Sequence, residues 1–251
     1  MENQFLHFFL ILLATHLLCD SLYKFKTWKR ESNTFPNIIW LSLAIAIISY
    51  LTAGMFSLWL LPISVFITHL VVYLLWKALY RCTGVSLLLE ELLHLLFTLL
   101  LAGLFSGAGN ISLVYPPEAA DILVRIILLL GGFAATTFLG SIVVGIWVKP
   151  FLTQLIEGRK RDKLGFGESG FPNGGQMIGI LERSLIYVFI IVDQPAAIGF
   201  LIAAKSILRF GEIKDSKYRM EAEYIIIGTL MSFIFAVIVS YAVKYLLTGM
   251  T

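Results

Sequence analysis

Charge is scarce in this chain. Asp, Glu, Lys and Arg supply 14% of its 251 residues, where soluble domains carry roughly 25%. Cysteine is nearly absent. Cys19 and Cys82 form no metal-ligand spacing and no obvious disulfide pair, and near the reducing cytoplasmic side both are expected to be free thiols. There is no Walker pattern and no dinucleotide fingerprint, so the sequence offers no nucleotide-binding loop. No long Ser/Pro/Gly linker divides the chain, and a single membrane domain, 1–251, is the simplest reading. A cleavable leader is not expected either: Met1–Asn3 carries an acidic residue and no basic one, and no small-x-small site precedes Asp20.

What the chain does have is apolar residues in long blocks. They make up 59% of the sequence and fall at about 5–23, 36–52, 57–80, 86–105, 122–148, 177–192, 196–210 and 224–247. Several blocks reach about 20 residues, enough to cross ~30 Å of hydrocarbon at 1.5 Å per residue. The expected fold is all-α: a polytopic transmembrane helical bundle of about seven or eight spans in a lipid bilayer. Residues 1–106 hold the polar helices. Residues 107–251 form a C-terminal helical region with a cytoplasmic loop at 149–176. The block at 196–210 is short, so 177–210 either crosses fully or forms a re-entrant helical hairpin with Pro195 at its tip.

The basic residues give an orientation. Four alternate loops, 24–36, 77–85, 149–176 and 205–222, hold 16 of the 19 Lys and Arg residues. Cytoplasmic loops accumulate these residues, so the four loops are expected inside and both termini outside. The run Arg159–Lys163 reads as topology-setting charge, and nothing in it calls for nucleic-acid binding.

Ionisable residues inside a span cost ~2.5–3.5 kcal/mol each on insertion scales, and persist where they pair, bind an ion or line a wet cavity. The first half of the chain concentrates them. His16 and Asp20 are spaced i,i+4. So are Glu90 and His94, with Glu91 beside them, and so are His69 and Tyr73. Residues four apart share a helix face. Counted from the border residues Lys24, Lys77 and Ser86, the three histidines each lie eight positions in, ~12 Å deep. Asp20, Tyr73 and Glu90 lie four positions in, ~6 Å deep. Three imidazoles at one depth, above two acids and a phenol, suggest a common site. Imidazole with carboxylate suits a divalent metal, zinc first. The expected ligands are His16, Asp20, His69, His94 and Glu90, with Glu90, Glu91 or Asp20 as general base in an enzyme. Structural pairing of each histidine with a carboxylate, and a proton or ion pathway, are the other readings. His7 is half a turn out of phase with His16 and is expected to face elsewhere.

These motifs resemble those of a bacterial integral-membrane family of unknown function, which carries H-x-x-x-D in its first helix, a second H-x-x-x-D, and then D-Q-x-x-H. This chain reads His16-Leu-Leu-Cys-Asp20, His69-Leu-Val-Val-Tyr73 and Glu90-Glu91-Leu-Leu-His94. It matches at His16, Asp20, His69 and His94 and is conservative at Glu90. It departs at Tyr73, where the family has aspartate, and at Glu91, where it has glutamine. The segments Asn173–Arg183, 197–212 and 223–229 are similar to the C-terminal region of longer members. The resemblance implies a bacterial cytoplasmic membrane and names no reaction. If the family aspartate is an essential ligand, Tyr73 weakens or alters metal binding.

In the second half, Glu182, Arg183, Lys205, Arg209 and Glu223 fall near the same cytoplasmic depth. Ion pairing of Glu182 with Lys205 and Glu223 with Arg209 is one expectation. An anion site on Arg183, Lys205 and Arg209, reaching a phosphate group, is the other. Three functions fit the whole: a membrane-embedded metal-dependent hydrolase acting on a lipid, peptide or lipid-linked substrate; a metal-ion or proton transporter or channel; and a non-enzymatic membrane scaffold with a degenerate site.

Overall fold

The computed structural model describes residues 2–27, 35–54, 56, 58–79, 84–106, 115–161, 173–210 and 219–250. Within them every regular element is helical: α1 Glu2–Thr27, α2 Phe35–Ala53, α3 Leu60–Leu79, α4 Gly84–Ser106, α5 Pro117–Ala134, α6 Gly140–Arg161, α7 Gly174–Ile191, α8 Ala196–Phe210 and α9 Arg219–Thr248. A π-helical turn, Ala135–Leu139, joins α5 to α6. Six of the resulting helical stretches are long and apolar enough to cross a membrane, and α3 and α8 contribute shorter apolar lengths. The side chains are sorted as a bilayer requires. Trp40, Leu104, Phe200, Ile207 and Ile238 point outward, while His16, Asp20, His69, Glu90 and Arg183 are buried. Water sorts a soluble protein the opposite way. This is a multi-pass helical membrane protein.

The chain divides into two compact units, residues 1–135 and 136–251. In the first, α1 is the central helix and packs against α2, α4 and α5, while α3 lies against α2 and α4. Burial of Phe8, Leu10, Ile11, Leu12 and Ala14 covers much of the circumference of α1, as expected of a helix with no solvent face. Its approach to α5 is close because Gly131 has no side chain: a Cβ there would lie 2.4 Å from the carbonyl oxygen of Ala14. Thus α5, grouped with the C-terminal region on sequence, belongs with the histidine-bearing helices. α5 starts where Pro117 occupies the first turn, with its missing N–H and fixed φ suited to that position. α2 ends at Gly54, whose φ of 62° few other residues adopt readily. Tyr115 lies over that turn and donates its hydroxyl to Leu51 O at 3.1 Å.

In the second unit α9 packs against α6 and α7, and α8 folds back beside α7. Ile186, Ile190, Phe233 and Ala236 form its buried apolar centre. Residues 177–210 form two helices, α7 and α8, joined by a tight turn. This turn is a Schellman motif: Asp193 is left-handed at φ 61°, Gln194 N–H donates to Phe189 O at 2.7 Å, and Asp193 N–H to Ile190 O at 3.3 Å. Lys244 of α9 pairs with the Asp193 carboxylate. One sequence boundary is corrected. Residues 149–161, read as part of a polar loop, continue α6 as helix. Once a helix is nucleated by its apolar turns, adding polar residues costs little, and Pro150 is accommodated inside it.

Candidate metal centre

The three histidines expected at one depth meet. Ring centroids are 5.1 Å apart for His16 and His69, 4.3 Å for His16 and His94, and 4.9 Å for His69 and His94. All three residues are buried. Each offers one ligand nitrogen within 4.8 Å of the others. Tetrahedral zinc sites place neighbouring nitrogens ~3.3 Å apart, so closure needs a contraction of at most about 1.5 Å.

The outer nitrogens are already committed, and this fixes what the inner ones can do. His69 Nδ1 lies 2.9 Å from Val65 O, and His94 Nδ1 lies 3.1 Å from Glu90 O. A carbonyl oxygen only accepts, so both Nδ1 atoms carry hydrogen and donate it. Both rings use one device, a hydrogen bond to the carbonyl one turn back on their own helix. In the neutral rings Nε2 is then a lone pair. His69 Nε2 faces His16 Nδ1 at 3.1 Å. His94 Nε2 is buried without a hydrogen-bond partner. On its far side, His16 Nε2 lies 3.2 Å from Glu91 Oε2, the carboxylate–histidine arrangement that holds metal-ligating imidazoles in register. With that N–H donated to Glu91, all three inner nitrogens present lone pairs toward one another. Such a set is satisfied by a cation or by an added proton.

A layer of acids lies beside the imidazoles, on the side of the C-terminal ends of α1 and α3. Asp20 accepts a hydrogen bond from the Tyr73 hydroxyl, and the Tyr73 ring is 5.2 Å from that of His94. Asp20, Glu90 and Glu91 all converge on Lys24. Its Nζ is 2.8 Å from Asp20 Oδ2, 3.2 Å from Glu90 Oε2 and 2.7 Å from Glu91 Oε1. Lys24, the border residue of α1 on sequence, is also the next member, after His16 and Asp20, of one face of that helix, and its position at i+4 from Asp20 is the available signal. Glu91 is the most exposed acid of the layer, its side chain 20% accessible. Three carboxylates thus face one ammonium beside the imidazoles, and the nitrogen and oxygen donors gathered here are of the kind that holds a divalent ion.

The expected ligands therefore separate into two groups. His16, His69 and His94 share a centre. Asp20 and Glu90, also expected as ligands, are engaged by Lys24. A second possible ligand group joins His16 with Asp20 and Glu91. His7 sits apart, near Asp121.

In the second unit Lys205 and Arg183 take different partners. Lys205 Nζ is 2.7 Å from both Glu182 oxygens, the interhelical pair anticipated. Arg183 turns to the π-helical turn and α9: Nε and Nη2 donate to Thr137 O at 3.3 and 3.0 Å, and Nη1 to Ser232 Oγ at 2.8 Å. Two glycines leave room for it. A Cβ on Gly179 would lie 3.1 Å from Nη1, and one on Gly140 3.1 Å from Cδ. The side chain of Arg209, and with it the Glu223–Arg209 pair, lies outside the described residues, as does Cys82. Cys19 is a free thiol. No family model matches the chain, and neither a curated protein nor a solved structure matches it, so the functional reading stands on this geometry.

Proposed function

We propose that this protein is a membrane-embedded, metal-dependent enzyme of the hydrolase class, whose ion is held by His16, His69 and His94. One observation carries the reading. Three imidazoles from three helices converge on one buried point, and one of their nitrogens, Nε2 of His94, has no hydrogen-bond partner. Three nitrogen donors with a position left open are the ligand set of catalytic zinc. A bound ion there supplies Lewis acidity and a lowered pKa for water. The chain's own groups have distinct parts. Glu91 orients His16 and, as the most accessible carboxylate of the layer, receives a proton as general base, with Glu90 behind it. Lys24 pairs with all three acids. Tyr73 holds Asp20 where the resembling family has a second aspartate. The substrate class that fits is a lipid, peptide or lipid-linked group reaching the site from the cytoplasmic face of a bacterial inner membrane, with both termini on the opposite side.

The test begins with the purified protein in mild detergent. Elemental analysis is expected to find about one divalent ion per chain and almost none after His94→Ala. A wild-type protein that neither contains nor takes up zinc removes the basis of this reading.

A second reading draws on one feature. His69, His16 and Glu91 form a continuous hydrogen-bonded line through both nitrogens of His16, which is also the wiring of a proton or ion pathway. Flux into proteoliposomes that stops with His16→Gln, in a protein free of metal, would select transport over hydrolysis.

A further inference from the structure

The geometry points to a second cation position next to the three histidines, filled in this chain by the ammonium of Lys24. The inference deepens the metal reading above and is separable from it.

A lysine at the end of a membrane helix ordinarily extends toward water. Lys24 does the reverse. It follows Asp20 on α1 and reaches Glu90 and Glu91 of α4, so that one oxygen from each of three carboxylates surrounds Nζ at 2.7–3.2 Å. Its side chain is only 11% accessible. Oxygens from three carboxylates around one point are what a hard divalent ion takes, at ~2.0–2.2 Å for magnesium or manganese, so an ion in place of Nζ asks the oxygens to move by about 0.5–1.2 Å. The position adjoins the first through His16, which presents Nδ1 to His69 and Nε2 to Glu91. His16 thus belongs to both possible ligand groups. Helix bundles that hold two ions build them from carboxylates and histidines on facing helices in this way. Here one of the two cations is covalently attached to the protein. Lys24 contributes one positive charge where an ion would contribute two, and its ammonium occupies the point that such an ion would take. The natural chain is therefore a one-ion protein, and Lys24 sets that number.

The experiment counts ions in full-length protein in detergent, equilibrated with zinc and manganese together and freed of loosely held metal by gel filtration. The wild type is expected to retain about one zinc and no manganese, and Lys24→Ala about one of each. Lys24→Ala with His94→Ala is expected to keep manganese and lose zinc, whereas Lys24→Arg, which restores a cation, should return to the wild-type count. Lys24→Gln replaces Lys24→Ala if the alanine variant does not fold. Equal ion counts in the wild type and the folded Lys24→Ala or Lys24→Gln variant overturn the inference and leave the three-histidine reading standing. Two ions in the wild type overturn it as well. A wild type without zinc, together with a Lys24 variant that gains manganese, has the opposite meaning: the acid position is real and the histidine reading fails.

Discussion

His16 Nδ1 and His69 Nε2 lie 3.1 Å apart although the residues are separated by 53 positions in the chain. At that distance two lone pairs repel, so a proton or a metal ion must stand between them. If it is a metal, removing it should loosen the first unit. A ligand present at 100 times its Kd stabilises the form that binds it by about 2.7 kcal/mol. Chelator-treated protein is therefore expected to unfold several degrees lower than protein in excess zinc, and readdition should restore the difference. An unfolding temperature insensitive to both treatments would mean that a proton fills the gap.

Glu91 offers a sharper test, because its contact with the three-histidine centre runs through His16. Glu91→Gln keeps the shape but replaces the carboxylate facing His16 Nε2. Loss of such a partner commonly lowers metal affinity 10- to 100-fold. Competition against a zinc-binding dye is expected to show a drop of that size, with one ion still bound at saturation. A loss of all capacity would make Glu91 a direct ligand instead.

Tyr73→Phe removes the hydroxyl that donates to Asp20. Both residues are buried, so the carboxylate oxygen loses its partner with no water to replace it. A deletion of this kind costs about 1–3 kcal/mol. Thermal unfolding in detergent should report that loss while zinc stoichiometry stays at one. A variant as stable as the wild type would show that Asp20 finds another donor.

The depth of the three histidines was legible in the sequence because helix rise is fixed: eight residues from a border is ~12 Å wherever the helix stands. Their convergence depended on helix rotation about the long axis, which apolar blocks of this kind leave open. The same limit explains Glu90 and Glu91. Glu90 shares a face with His94 and was read as the ligand, yet Glu91, about 100° further round, is the residue that meets His16. Lys24 was hidden by its own charge, which marks the membrane border in a topology argument and masks a side chain that folds back. Arg183 was grouped with Lys205 by depth. Their partners, Thr137 and Ser232 for one and Glu182 for the other, depend on how α7 is turned, and a π-helical turn leaves little trace in sequence.

Arg183 ties that turn to α9. Arg183→Met keeps most of the volume and removes the donors to Thr137 O and Ser232 Oγ, a change expected to destabilise the second unit by about 1–3 kcal/mol. Arg183→Lys, which has no planar fork, should recover only part of it. The three histidines belong to the other unit, so zinc content should be unchanged in both variants. Loss of zinc with Arg183→Met would contradict that independence.

Gly131 gives the most direct link between packing and the metal centre. It lies on α5 against the backbone of α1 at Ala14, two residues before His16, and a Cβ at this point would fall 2.4 Å from the Ala14 oxygen and 3.2 Å from its carbonyl carbon. The obstacle is helix backbone, so no rotamer change can relieve it and the helices must separate. Overpacking of this kind costs about 1–3 kcal/mol. Because α1 carries His16, Asp20 and Lys24 on one face, a shift at Ala14 should also move His16 relative to His69 on α3 and His94 on α4. Gly131→Ala is therefore expected both to lower the unfolding temperature and to weaken zinc binding about 10-fold or more, though residue 131 supplies no donor atom. Gly103→Ala is the control. It lies on α4, where an added Cβ meets nothing within 4 Å, and it should leave both properties near wild type. If Gly131→Ala binds zinc as tightly as Gly103→Ala, the imidazoles are positioned independently of the α1–α5 contact.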